Sequence, residues 1–223
     1  MQTDLVLVTV AVVAGYLLGG IPFGIIVPKL IGGPDPRTIG SGRTGGANVS
    51  RAVGYRWAAV SGLLDVAKAS VAVLLVVAIG GGPVPQIVAA LAAIVGHSRS
   101  PYIGLHGGRG VAPATGGALI IEPLILAAIF PVFVLTIVVT RISSLGSLTA
   151  SAIGGVVMIV VAVITPLPPI YYLYGVGVPG LIWLFHLDNI ERLLTGRERR
   201  IGPQSANSGE KDEPANRATE SRP

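Results

Sequence analysis

The sequence predicts an all-α, polytopic integral membrane protein. It has seven transmembrane helices, two of them short, with the N-terminus outside and the C-terminus cytoplasmic. Three observations predict this. Of 223 residues, 51% are hydrophobic and only 12% are charged, against about a quarter charged in a soluble domain. Several apolar runs match the roughly 20 helical residues needed to cross a ~30 Å hydrocarbon core. Of the 16 Lys and Arg residues, all but Lys29 and Lys68 fall on alternate connections, the bias that marks the cytoplasmic side.

The first span is 5–30, interrupted at Pro22 and carrying two GxxxG spacings, Gly15 to Gly19 and Gly20 to Gly24. Such spacings let helix backbones approach closely. A polar, glycine-rich stretch follows at 31–57, then a span at 58–79 and a tight turn at 80–83. Residues 84–95 are apolar but short, and 96–110 are polar again. Residues 111–121 form the second short span, ended by Glu122-Pro123. Spans at 123–139, 145–164 and 169–186 complete the set. If all seven cross, the basic stretches 31–57, 96–110, 141–144 and the C-terminal region share one side. The N-terminus and the turns at 80–83, 122 and 165–168 share the other and contain no Lys or Arg. Losing one short span would place basic loops on both sides. Residues 1–201 therefore read as one membrane domain. Residues 202–223, rich in Pro, Ser, Glu and Lys, read as a disordered cytoplasmic tail that cannot bury a core.

Composition excludes several chemistries. With no cysteine there is no disulfide, thiolate metal site or cysteine nucleophile. His97, His106 and His186 are scattered and form no zinc signature. The N-terminus lacks a signal peptide's basic region and cleavage pattern. A net charge of +5 suits a membrane surface and anionic substrates better than nucleic acid.

The polar stretches hold the candidate chemistry. In the first, Gly40-Ser41-Gly42-Arg43 through Asn48 and Arg51 combine glycines, whose amides can converge on an anion, with a hydroxyl, an amide and two guanidiniums. The plainer alternative is an interfacial loop whose arginines touch lipid headgroups. No GxxxxGK[ST] phosphate loop is present. In the second, Gly107-Gly108-Arg109-Gly110 precedes a helix start, where free N–H groups and the helix dipole favour an anion. A snorkelling arginine is the alternative. Asp65 and Lys68, three apart inside a span, are either functional or a structural ion pair. His186, at the end of the last span, is a candidate base or a plain interfacial residue. A GxSxG nucleophile elbow and an HxxxxD motif are both missing.

One ordered series of motifs is specific. It comprises Gly20-Ile21-Pro22-Phe23-Gly24, Gly40-Ser41-Gly42…Asn48-Val49…Arg51, Asp65-x-x-Lys68, Gly96-His97, Gly107-Gly108-Arg109-Gly110-Val111-Ala112, Thr140-Arg141…Ser144-Leu145-Gly146-Ser147 and His186…Asn189-Ile190…Arg192-Leu193-Leu194…Gly196. Collinear from about residue 16 to 202, the series resembles the bacterial acyl-phosphate:glycerol-3-phosphate acyltransferase family (PlsY). The resemblance implies a seven-span enzyme of the cell membrane with its active face cytoplasmic. It would move a fatty acyl group from acyl phosphate to the 1-hydroxyl of glycerol 3-phosphate, giving lysophosphatidic acid for phospholipid synthesis, with no metal or cofactor. Ser41, Arg51, His186 and Asn189 fall on the family's catalytic positions. Gly40, Gly42, Arg43, Asn48, Gly107, Gly108, Arg109 and Gly110 fall on its substrate-binding loops. The chain departs from the family pattern at Arg43 (usually Asn), Ala47 (Thr), His106 and Arg109 (both Lys) and Asp188 (Glu). The rival reading is a membrane transporter of phosphate esters or other anions. Against it, the halves show no internal repeat and the polar residues avoid the midplane.

Overall fold

The computed structural model describes residues 2–201; the predicted tail at 202–223 lies outside the described residues. Helices α1 (Gln2–Gly20) and α2 (Phe23–Leu30) are one apolar run broken at Ile21-Pro22, because proline has no N–H to continue the ladder. A break at membrane depth frees carbonyls that lipid cannot satisfy. Three carbonyls at or beside this break accept from side chains elsewhere. Ser100 Oγ donates to the Gly20 carbonyl at 2.6 Å, Lys68 Nζ to Ile21 at 2.7 Å and Ser61 Oγ to Phe23 at 3.4 Å.

The stretch expected to be irregular at 31–57 contains α3 (Gly46–Val53) and the first residues of α4 (Tyr55–Ala78), divided by Gly54 at φ 84°. Then come α5 (Pro83–Ser98), α6 (Val111–Ile121), α7 (Leu124–Thr140), α8 (Ser143–Ile164), α9 (Ile170–Phe185) and α10 (Leu187–Leu194). No strand occurs among the described residues.

Small residues set the packing. A Cβ on Gly15 would meet the Ala89 carbonyl oxygen at 2.5 Å, and Cβ atoms on Gly19 and Gly96 would overlap backbone of the facing helix. Thus α1 and α5 touch backbone to backbone. Gly116 sets α6 on Val66 and Ala69 of α4. Gly146 and Gly154 set α8 on α7, and Gly155 faces Gly175 of α9. Two groups result, α1–α4–α5–α6 and α7–α8–α9, joined by α5 against α9.

Three helical stretches are long and apolar enough to cross a membrane: Asp4–Leu30, Tyr55–Ala78 and Ser143–Ile164. α9, counted with α10 from which it is bent by 67°, makes a fourth. At 16, 11 and 17 residues, α5, α6 and α7 are shorter. Large apolar side chains cover the outside, among them Leu75, Val139, Val156, Val163 and Leu173. A contiguous apolar exterior of this kind is a lipid-facing surface. The polar segments meet at one end, where the Ile201 amide donates to the Arg141 carbonyl at 2.7 Å and Tyr16 Oη to the Arg99 carbonyl at 2.9 Å.

Candidate active site

At that polar end opens a cavity of about 1180 Å³. Ser41, Arg43, Asn48, Arg51, Arg109, His186 and Asn189 all line it. The sequence-predicted side chains therefore converge, although they come from three separate stretches of chain. Below them the wall turns apolar, with Val66, Ile129, Phe133, Met158 and Ile182 contributed by α4, α7, α8 and α9.

Asn48, on the first turn of α3, organises the first loop. Its Nδ2 donates to the Ile39 and Arg43 carbonyls at 2.8 and 2.9 Å. Its Oδ1 accepts from Arg51 Nη1 at 2.8 Å and from the Ser41 amide at 3.4 Å. One buried amide thereby fixes both Ser41 and Arg51 at the cavity wall. Gly40 and Gly42 have φ of 59° and 67°, and a Cβ on Gly40 would press Asn48 Oδ1 at 2.8 Å. These glycines shape the loop from behind. Arg43 reaches into the cavity with a buried Nη1 that has no hydrogen-bond partner.

The second loop is built against His97. The amides of Gly107 and Gly108 donate to the Ser98 and His97 carbonyls at 3.2 and 3.1 Å. A Cβ on Gly107 would overlap the His97 carbonyl oxygen, and one on Gly108 the His97 ring. His97 Nδ1 in turn lies 3.0 Å from Lys68 Nζ, which pairs with Asp65 Oδ1 at 2.6 Å. The glycines fit this buried trio, and Asp65–Lys68 is an ion pair that also caps the Pro22 break. Gly110, at φ 82°, is the N-cap of α6. Arg109 lines the cavity but is held there: its guanidinium makes two hydrogen bonds to the Asp188 carboxylate, at 2.6 and 2.7 Å, and one to the Phe185 carbonyl at 2.6 Å.

The bend after α9 supplies His186 and Asn189. His186 is buried, and Nδ1 lies 2.7 Å from the Ile182 carbonyl. A carbonyl accepts, so Nδ1 carries the proton and Nε2 of the neutral ring is an acceptor. Asn189 Nδ2 donates at 2.6 Å to Glu198, which also accepts from Ser144 Oγ at 2.9 Å and Arg192 Nε at 2.8 Å. Asn189 Oδ1 is left buried with no partner. Glu198, Ser144 and Arg192 were not singled out as site residues from sequence. Ser144 and Arg192 do stand in the ordered motif series, and Glu198 is a lone acid within Arg197-Glu198-Arg199-Arg200.

The electrostatics are those of an anion site. Hydrogen bonds from Arg109 hold the Asp188 carboxyl well below the usual carboxylate range, despite its partial burial. Burial and then repulsion from Arg109 lower Arg43 from its ordinary value, and burial followed by Arg199 does the same to Arg51. Both guanidiniums remain cations, desolvated and crowded by like charge.

The chain is similar to known proteins over most of its length. The family model for glycerol-3-phosphate acyltransferase matches residues 9–196. A glycerol-3-phosphate acyltransferase of a Synechococcus species is 42% identical over 198 residues, covering 89% of this chain and 95% of its own. One from Anaeromyxobacter dehalogenans is 38% identical over 208 residues, covering 90% and 100%. The crystal structure of PlsY (YgiH), an integral membrane glycerol 3-phosphate acyltransferase, in its glycerol 3-phosphate form superimposes with a TM-score of 0.79 at 33% identity, covering 92% of this chain and 98% of that one. Its lysophosphatidic acid form gives 0.77, also at 33% identity, covering 91% and 97%.

Proposed function

Because the chain belongs to the glycerol-3-phosphate acyltransferase family, we propose that it transfers a fatty acyl group from acyl phosphate to the 1-hydroxyl of glycerol 3-phosphate, releasing lysophosphatidic acid and phosphate. The observation that carries the reading is one cavity with two characters. Its polar end presents Arg43 Nη1 and Asn189 Oδ1, a donor and an acceptor both without partners. Its body is apolar and of a size to take a lipid chain.

Arg43, Arg51 and Ser41 hold the phosphates of donor and acceptor by charge-assisted hydrogen bonds. Gly40, Gly42 and Asn48 shape that loop, and Gly107, Gly108 and Gly110 fix Arg109 at the rim. Asn189 Oδ1 accepts a hydrogen bond from the glycerol, with His186 Nε2 beside it as acceptor of the 1-hydroxyl proton. The glycerol oxygen forms a bond to the acyl carbon, the acyl-carbon-to-phosphate-oxygen bond breaks, and phosphate leaves with those electrons and recovers the proton. Acyl phosphate is already activated. Alignment and stabilisation of the developing negative charge are therefore the protein's main contributions.

We place the protein in the cell membrane as a single domain over 1–201, with its cavity at the cytoplasmic face. Seven crossings follow when α1–α2, α4, α5, α6, α7, α8 and α9 each traverse. The turns at 80–83, 122 and 165–168 carry no Lys or Arg, as outer turns should.

The test is acyl transfer by detergent-purified protein given palmitoyl phosphate and radiolabelled glycerol 3-phosphate. Labelled lysophosphatidic acid that disappears with Arg51→Ala is the expected result. No product from a folded, monodisperse sample refutes the reading, and glycerol 3-phosphate counterflow in liposomes would then favour transport.

A further inference from the structure

The apolar body of the cavity has a closed end. The lining residues farthest along their helices from the polar end are Ile125 near the start of α7, Met158 on α8 and Tyr174 on α9. They are only 4%, 1% and 3% exposed and pack in one cluster. Fourteen residues of α8 separate Ser144 from Met158, and twelve separate Tyr174 from His186. At 1.5 Å per helical residue, two antiparallel helices agree on a depth of about 18–21 Å. That exceeds one leaflet of a ~30 Å hydrocarbon core, so the groove takes an extended long acyl chain and then stops.

The stop is built tightly. Gly155 and Gly175 bring α8 and α9 into backbone contact behind the groove, since a Cβ on Gly155 would overlap the Gly175 carbonyl oxygen. Across it, α6 has Gly117, where a Cβ would come within 3.3 Å of the Tyr174 hydroxyl. The Tyr174 hydroxyl reaches into the room that this glycine leaves. Higher up the wall is open sideways, where Leu63 of α4 and Phe130 of α7 both line the cavity and are 69% and 66% exposed. A chain can thus slide in from lipid between α4 and α7, and its methyl end then meets the Tyr174 floor.

We propose that Tyr174, backed by Met158 and Ile125, is a specificity-determining residue that sets the longest acyl chain the groove accepts in full. The proposal rests on the acyltransferase reading. One methylene too many against a closed apolar wall is worth roughly tenfold or more in kcat/KM. Chain length should therefore show a step, not a slope.

The experiment supplies purified protein with glycerol 3-phosphate and an equimolar mixture of dodecanoyl, myristoyl, palmitoyl, stearoyl and arachidoyl phosphates, and reads the lysophosphatidic acids by mass. The parent should show a drop of roughly tenfold or more between two neighbouring lengths. Tyr174→Ala should move that step to a longer chain. Tyr174→Phe, which keeps the ring and removes only the hydroxyl that faces Gly117, should move it less than Tyr174→Ala does. Ala114→Leu, on the cavity wall of α6 three residues nearer the polar end than Gly117, should move it to a shorter chain, and it keeps the test alive if Tyr174→Ala fails to fold. A flat parent profile, or a step unmoved in folded Tyr174→Ala and Ala114→Leu, overturns the inference while leaving the acyltransferase reading intact. No lysophosphatidic acid of any length from the folded parent overturns both.

Discussion

Arg43 offers the sharpest test of the site, because its removal should push stability and activity in opposite directions. In the ligand-free protein its Nη1 is buried without a partner, and Arg109 and Arg99 repel it. A buried, unmatched donor costs about 1–3 kcal/mol. Arg43→Met keeps the aliphatic stem and removes the donor and the charge. Recovering about 1 kcal/mol raises Tm by roughly 2–4 °C in a protein of this size. With substrate bound, the same group makes a charge-assisted hydrogen bond to phosphate, worth about 1.5–3 kcal/mol. Its loss lowers kcat/KM by roughly 10- to 150-fold, at about 1.4 kcal/mol per decade. The assays are thermal unfolding in detergent without ligand, and initial rates over a range of glycerol 3-phosphate and acyl phosphate concentrations. Whichever substrate's KM rises identifies the phosphate that Arg43 holds. A variant that melts lower, or keeps the parent's kcat/KM for both substrates, refutes the argument.

Other consequences follow from the same geometry. Asp188→Asn should free the Arg109 guanidinium and lower Tm. The folded-state pKa of Asp188 is depressed, so the stability it contributes is present in full above the unfolded value near pH 4 and fades as pH falls toward the folded one. The Tm gap between parent and variant should therefore be constant at neutral pH and narrow only in acid. Gly108→Ala places a methyl on the His97 ring and should cost about 1–3 kcal/mol by overpacking, read as a lower Tm, while Gly45→Ala, with open space around it, should not. Because the chain has no cysteine, single cysteines report topology cleanly. Gly82→Cys and Thr165→Cys, both exposed and Gly82 with open space around it, should react with an impermeant maleimide from outside intact cells, and Tyr102→Cys only after lysis; labelling at Tyr102 in intact cells would refute the seven-crossing reading.

What the sequence made legible is what depends on local composition. Runs of apolar residues located α1, α4, α7, α8 and α9 to within a few residues, and Pro22 marked a true break. Gly15 and Gly19 were recognisable because a small residue every fourth position has one structural use in lipid. Long-range pairing was not legible. Lys68 stood out as an ion within a span, but nothing local shows that it caps a carbonyl 47 residues earlier. Arg109 meets Asp188 79 residues away, and no spacing rule covers such a distance. Helix α3 hid in a glycine-rich stretch because its stability comes from docking on α4 and α2, not from propensity.

These pairings change how the cations divide. From sequence, Arg51 fell on a catalytic position and Arg43 and Arg109 on the substrate-binding loops, each a candidate contact for an anion. In the structure, Arg109 and Arg192 share Asp188, and Arg192 also holds Glu198. Neither Arg43 nor Arg51 has a carboxylate within salt-bridge distance among the described residues. A paired guanidinium has spent most of its donors and positions the wall, whereas an unpaired, desolvated one awaits an anion. Acyl transfer between two phosphate-bearing substrates needs positive charge for both, and the first loop supplies two guanidiniums to one cavity. Arg43, standing where the family usually carries an amide, adds the second. One of the departures that set this chain apart at the level of sequence thus leaves an unpartnered guanidinium N–H at the cavity in the structure.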